Sequence, residues 1–216
     1  MNKALPSPPS KAEIAELESY VGLSLEEVWV ISTAQESQAA RDEIMHHRVL
    51  GFDTESRPTF AKNQESKGPH ILQFSTPQKA YIFHAHLVEC HAALAEILMS
   101  NEVVKIGFGL GDDLKRISTK FGITPRAVVD LNATFKEIGY RNQVGARTAI
   151  AILFKKKFSK SRSTTTSNWS NKVLSEQQIL YAANDAHAAI QVFHALQQQS
   201  GGQGSIKHSL QPCPSD

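Results

Sequence analysis

Apolar residues in this chain fall into short dense runs, separated by stretches with helical spacing. "RVLGFDTE" (48–55), "HILQFST" (70–76) and "AYIFHA" (80–85) are rich in β-branched and aromatic residues and predict three consecutive strands. A tight turn at "TPQK" joins the last two. "VVKIGFG" (103–109) predicts a fourth strand and "AVVDL" (127–131) a fifth. "EVWVIS" (27–32) reads as a further short strand before this group. Helical spacing covers 11–22, where Ile14, Leu17, Tyr20 and Val21 share one side. It recurs over 33–47 behind a Ser32 or Thr33 cap, over about 90–99, over 112–122 with a stop at Gly122, over 132–140 and over 146–154. A long helix, "SEQQILYAANDAHAAIQVFHALQQQ", opens at a Ser175 cap. Residues 56–69 read as a polar loop and 155–174 as a basic, Ser/Thr-rich stretch. Three strands in a row, followed by alternating helix and strand, predict an α/β domain with a mixed sheet flanked by helices. The expected division is an N-terminal extension with a helix (1–24), one domain (25–198) and a disordered C-terminal tail (199–216).

Composition narrows the picture only a little. A chain of 216 residues suits one domain with a sizeable core. Lys and Arg number 23 against 21 Asp and Glu, so net charge does not select a partner; its distribution has to. Two cysteines, Cys90 and Cys213, cannot build a disulfide framework and fit a reducing compartment. No apolar run reaches the roughly 18 residues of a membrane span, and "MNKALPSPPS" has no apolar core of the signal-peptide kind. A cytoplasmic protein is expected.

The candidate chemistry lies in three acidic clusters. Asp53 and Glu55 stand two apart in a strand, so they project side by side. Two bare carboxylates about 4 Å apart repel by roughly 4 kcal/mol at an effective dielectric near 20. A hard divalent cation between them reverses that sign; a strand end that merely runs into solvent is the plainer alternative. Asp112 and Asp113 follow a strand and open a helix, where acids also serve as caps and favour the dipole. A glycine-rich phosphate cradle is excluded there, because the glycines of "GFGLGDD" miss the required spacing and two carboxylates would repel phosphate. Tyr181 and Asp185 are four apart on the last helix and share a face, among alanines that allow close packing.

The three clusters occur in the order D-x-E, D, Y-x-x-x-D. Four carboxylates can hold two divalent ions about 3.5–4 Å apart, a clamp for in-line attack on phosphorus. "FDTE", "GFGLGDDLKRI" and "YAANDA", with "SNWS" (167–170) and "ILQF", resemble the DEDD superfamily of 3′-5′ exonucleases in its tyrosine-bearing (DEDDy) branch. That branch includes ribonuclease D and the Werner syndrome exonuclease domain. The resemblance covers about residues 25–196. It implies a ribonuclease H-like fold with a mixed five-stranded sheet flanked by helices. It implies Asp53, Glu55, Asp113 and Asp185 as ligands of two Mg²⁺ or Mn²⁺ ions, and Tyr181 as the group positioning the nucleophilic water. Asp113 is preferred to Asp112 because an apolar residue and a helix follow it, as they follow the family's acid. Ribonuclease D carries a further helical domain after its catalytic one; polar residues follow the last helix here, so the resemblance leans to a Werner-like exonuclease domain standing alone.

Residues 138–175 contain eight basic side chains and no acid. Lys155, Lys156, Lys157, Lys160 and Arg162 form the densest part and are the candidate contacts to a nucleic-acid backbone; a solvated mobile loop is the alternative. Trp169 suits a structural anchor better than a base-stacking platform. His84, His86 and His91, supported only by Cys90, make a poor zinc site. His187, two residues beyond Asp185, should turn away from the site. The expected activity is release of nucleoside monophosphates from a DNA or RNA 3′ end, with substrate held by one domain or through a homo-oligomer. A non-catalytic nucleic-acid-binding or assembly module is the alternative. An endonuclease or nucleotide phosphatase on the same site is a third reading.

Overall fold

The computed structural model describes residues 7–58 and 68–199. Cys213, the tail beyond residue 199, the first six residues and the middle of the predicted 56–69 loop lie outside them. Six strands form one mixed sheet: β1 (Val28–Ile31), β2 (Val49–Glu55), β3 (Ile71–Ser75), β4 (Ala80–His84), β5 (Val104–Gly107) and β6 (Val128–Asp130). Their order across the sheet is β1-β4-β3-β2-β5-β6. Strands β2, β3 and β4 run as an antiparallel meander, whereas β1 joins β4, β5 joins β2 and β6 joins β5 in parallel. The expected five strands are all present, and the "VWVI" segment is the sixth. The meander leaves one edge of β4 unpaired, and β1 takes its ladder hydrogen bonds from Val28 to Ile31.

Eight helices surround the sheet among the described residues: α1 (Lys11–Ala15), α2 (Ala34–Met45), α3 (His91–Met99), α4 (Gly111–Phe121), α5 (Leu131–Glu137), α6 (Ala146–Phe154), α7 (Arg162–Thr165) and α8 (Glu176–Gln199). Strand alternation sorts the core into two sides. Leu50, Phe52, Leu72, Phe74, Tyr81 and Phe83 face Ile44, Leu94, Ile97 and Ile117 of α2, α3 and α4. Phe74 stacks on Phe52 and meets Phe83 edge-on, with ring centroids 5.1 and 5.9 Å apart. The opposite face carries Ile71, Ile82 and Ile106 and is covered by α8, with α6 beside it.

Gly51 decides how close α8 lies. A Cβ there would stand 1.9 Å from the backbone oxygen of Ala186, so only glycine admits the helix at this distance. Because residues i, i+2 and i+4 share a strand face, Asp53 and Glu55 emerge on the same side as Gly51. Asp185, next to Ala186 on the helix, is thereby brought to β2.

One expectation fails at the N-terminus. The helix expected over 11–22 ends at Ala15. A Ser10–Glu13 capping box starts it. Beyond it the chain straightens to bond the segment after α6. Lys157 N–H donates to the Glu18 carbonyl (2.7 Å) and Tyr20 N–H to the Lys157 carbonyl (2.9 Å). Tyr20 packs against Phe154 and Phe158, while Val21, expected on the buried side, is exposed. Non-local pairing outweighs a short helix's propensity here.

Candidate active site

Asp53, Glu55 and Asp185 converge where β2 leaves the sheet beneath α8. One carboxylate oxygen from each lies within 4.8 Å of the other two. Asp185 is almost fully buried, and its Oδ1 has no hydrogen-bond partner. Thr54, between the two strand acids, points to the opposite face. Its hydroxyl donates to Asp113 Oδ1 at 2.8 Å. Asp113 stands in the first turn of α4, and Arg116 lies 3.6 Å from its carboxylate. The structure thus brings three of the four expected acids together. It holds the fourth one strand residue away, turned toward Thr54 and Arg116. Asp112 points outward to Lys115, as expected for a capping neighbour.

The position of Asp113 rests on a backbone device. Gly109 and Leu110 donate their N–H groups to the Asp130 carboxylate at 3.0 and 3.1 Å. The same carboxylate caps α5 through the Asn132 N–H. Asp130 therefore clamps the loop that delivers α4. This role of Asp130 is not legible in the sequence, because an acid at the end of a strand reads equally as a cap.

Tyr181 lies one helical turn before Asp185 and lines the same 480 Å³ cavity. Its hydroxyl is bonded to Thr165 Oγ1 at 2.9 Å. Trp169 is fully buried beneath it, with ring centroids 5.7 Å apart and its indole N–H directed at the Thr165 carbonyl (3.4 Å). Trp169 is a structural anchor, as its preferred reading had it. His187 turns away from the acids and meets the Pro77 carbonyl at 3.1 Å. His84 and His86 touch edge-on at 5.1 Å, but they form no three-ligand group among the described residues.

The basic stretch does not act as a unit. Lys156 pairs with Glu18, and Lys157 donates to the Ala15 carbonyl (2.9 Å). Lys155 ends α6 in a left-handed conformation, and Arg162 opens α7. Lys160 points inward, its ammonium 2.6 Å from Asp185 Oδ2. Composition placed Lys160 with its neighbours; only the tertiary fold shows that it belongs to the acids.

Electrostatics in the cluster disfavour negative charge. Burial, then the fields of Asp185 and Asp113, holds the Asp53 carboxyl well above the usual range. Burial and the neighbouring Asp53 and Asp185 push Glu55 up to about 9. Burial also raises Asp113 and Asp185, against the opposing pull of Thr54 on one and Lys160 on the other. Burial works against the Lys160 charge, but Asp185 and Asp53 more than offset it and hold the ammonium protonated. Burial and Asp185 raise the Tyr181 phenol to about 12, so at neutral pH it remains a donor. All-oxygen ligands, an unpartnered buried carboxylate oxygen and carboxyls that resist ionisation fit a site built around a hard divalent cation.

Comparison with known proteins decides the family. The 3′-5′ exonuclease domain profile matches residues 28–200, most of the chain. The chain belongs to the 3′-5′ exonuclease family. Among relatives of this family, the bifunctional 3′-5′ exonuclease/ATP-dependent helicase WRN of Mus musculus is 27% identical over 150 residues, 68% of this chain and 11% of that protein. A 3′-5′ exonuclease of Arabidopsis thaliana is 26% identical over 152 residues, 68% of this chain and 52% of that one. The chain thus spans about half or less of the length of these two relatives. The Aedes aegypti Nibbler EXO domain superposes with a TM-score of 0.74 at 20% identity, covering 88% of this chain and 96% of that one. That likeness bears out the ribonuclease H-like class of the fold.

Proposed function

We propose that this domain is a metal-dependent 3′-5′ exonuclease of the tyrosine-bearing DEDD branch, which hydrolyses phosphodiester bonds from a nucleic-acid 3′ end and releases nucleoside monophosphates. The observation that carries this reading is the meeting of Asp53, Glu55 and Asp185 within 4.8 Å, with Tyr181 one turn away on the same helix. Asp53, Glu55 and Asp185 would hold divalent cations, with Asp113 completing the set from across Thr54. Two such ions, Mg²⁺ or Mn²⁺, supply an activated water and charge neutralisation at phosphorus.

The chain's own groups do the rest. Tyr181, protonated at neutral pH and fixed by Thr165, presents a hydroxyl to orient the attacking water. The buried alanines of α8 keep Asp185 tight against β2, which limits the spread of the acids to a useful distance. Backbone and sugar contacts suffice for exonuclease action, so no sequence specificity is expected. Arg141, Lys155, Arg162 and Lys172, each exposed, remain as candidate phosphate contacts. The buried free Cys90 is consistent with a cytoplasmic setting.

The test is a gel assay on 5′-labelled single-stranded DNA, single-stranded RNA and a recessed 3′ duplex, each with Mg²⁺, Mn²⁺ or EDTA. A ladder shortening from the 3′ end, dependent on metal and absent in Asp53→Asn, is the expected result. Undiminished cleavage by Asp53→Asn would overturn the assignment. Metal-independent binding without turnover on every substrate would favour the non-catalytic module.

A further inference from the structure

Lys160 occupies a position that the exonuclease reading does not explain. Its Nζ donates to Asp185 Oδ2 at 2.6 Å, and only 24% of its side chain is exposed. The ammonium also lies 5.5 Å from the centroid of the Tyr181 ring. Arg147 donates to the Lys160 carbonyl and fixes its backbone. The next residue, Ser161, caps α7 through the Thr164 N–H. α7 in turn carries Thr165 to the Tyr181 hydroxyl. Residues 160–165 therefore place a cation on the carboxylates and hold the tyrosine at the same time.

A divalent ion sits about 2.0–2.6 Å from its carboxylate oxygens. With the ammonium on Oδ2, an ion on the unpartnered Oδ1 or on both oxygens of Asp185 would stand only a few ångströms from it, and the two positive charges would repel strongly in a site with little water. The displaced side chain has somewhere to go. The 480 Å³ cavity beside it is lined by Ser19, Ser163, Gln177 and Asn184, polar groups that can receive an ammonium.

We propose that Lys160 is an internal counter-cation of the metal-free domain, and that divalent metal enters by exchange against its ammonium, releasing Lys160 from Asp185 into the adjoining cavity. The inference rests on the reading of Asp53, Glu55 and Asp185 as metal ligands. It makes Lys160 a positioning residue that sets metal affinity, where composition alone had placed it among the nucleic-acid contacts.

The test is Mn²⁺ binding, by calorimetry and by the electron paramagnetic resonance of free Mn²⁺, to wild-type protein, Lys160→Met and Lys160→Arg. Methionine keeps much of the length and removes the charge; arginine keeps the charge. Lys160→Met is expected to bind Mn²⁺ at least about tenfold more tightly than wild type, with Lys160→Arg within about threefold of it. Equal or weaker binding by Lys160→Met would overturn the exchange while leaving the metal site intact. Absence of Mn²⁺ binding in all three proteins would remove the metal reading and the exchange with it. Wild-type protein offers a second measurement should Lys160→Met not fold. Trypsin must take the Lys160 side chain into its own pocket, so Mn²⁺ should accelerate cleavage after Lys160, read by mass spectrometry. Unchanged cleavage would count against the exchange.

Discussion

Two of the four acids and the tyrosine are each held by a neighbour that a motif does not spell out. Thr54 holds Asp113, Lys160 holds Asp185 and Thr165 holds Tyr181. Tyr181→Phe should lower kcat by about a hundredfold, with metal affinity unchanged, as expected when a proton-handling or water-orienting group is lost. Steady-state kinetics beside Mn²⁺ titration checks this. The acids also set a pH dependence. The Glu55 value in the folded protein, about 9, lies above its ordinary 4.5, so the folded state binds the extra proton between those limits. Asp53 shifts the same way. Their contribution to stability is complete below the ordinary carboxylate range and is lost as pH rises through the folded values. A bound cation removes the cause. Mg²⁺ or Mn²⁺ should therefore raise Tm more at about pH 8.5 than at about pH 5.5, and Asp53→Asn should shrink that difference. Calorimetry across pH with and without EDTA measures it; a metal effect independent of pH would contradict the carboxylate account.

At the scale of elements, the site is the crossing of β2 by α8. Gly51→Ala forces a methyl against the Ala186 carbonyl. It should cost about 1–3 kcal/mol, typical of overpacking, and should weaken Mn²⁺ binding because Asp185 is moved from Asp53. Denaturant unfolding and metal titration on one variant test both effects. Trp169→Ala separates anchor from stacking platform. A fully buried tryptophan beneath Thr165 and Tyr181 should cost about 3–5 kcal/mol of stability when removed, whereas a base-stacking residue would change substrate affinity alone. Strand and helix positions were largely legible from the residues. β2, β3, β4 and α8 follow from apolar runs and from alanine-rich periodicity over Glu176–Gln199. The helix expected over 11–22 was not, since its second half is taken by backbone bonds to Lys157, more than 130 residues away. Nor was α7, a single turn inside a stretch whose composition reads as loop.

Across the whole molecule, charge is more evenly spread than a reading of residues 138–175 suggests. Glu18 offsets Lys156 and Asp185 offsets Lys160, while the Lys157 ammonium keeps its charge but is tied to the Ala15 carbonyl. A substrate track therefore draws on fewer free cations than the eight in the sequence. With the four remaining candidates engaged, single-strand affinity should fall with salt at a log–log slope of about −3. Fluorescence anisotropy on a labelled oligonucleotide with Ca²⁺ in place of Mg²⁺ would measure it. A slope near −5 would mean that the whole basic stretch engages.

Alternation and periodicity settled which residues share a face, because they depend only on backbone geometry: Asp53 with Glu55, Tyr181 with Asp185, His187 pointing elsewhere. The order and spacing of the acids also carried the family, which the domain match over residues 28–200 bears out. Distances between faces are a different matter. That α8 lies close enough to β2 for three carboxylates to meet depends on Gly51 against Ala186, that Asp113 turns to Thr54 depends on the Asp130 clamp, and that one lysine of the basic run fills the acidic site depends on how the segment after α6 folds back. Those are contacts between residues tens to more than a hundred positions apart. Local pattern has no access to them, and packing of the assembled chain decides them.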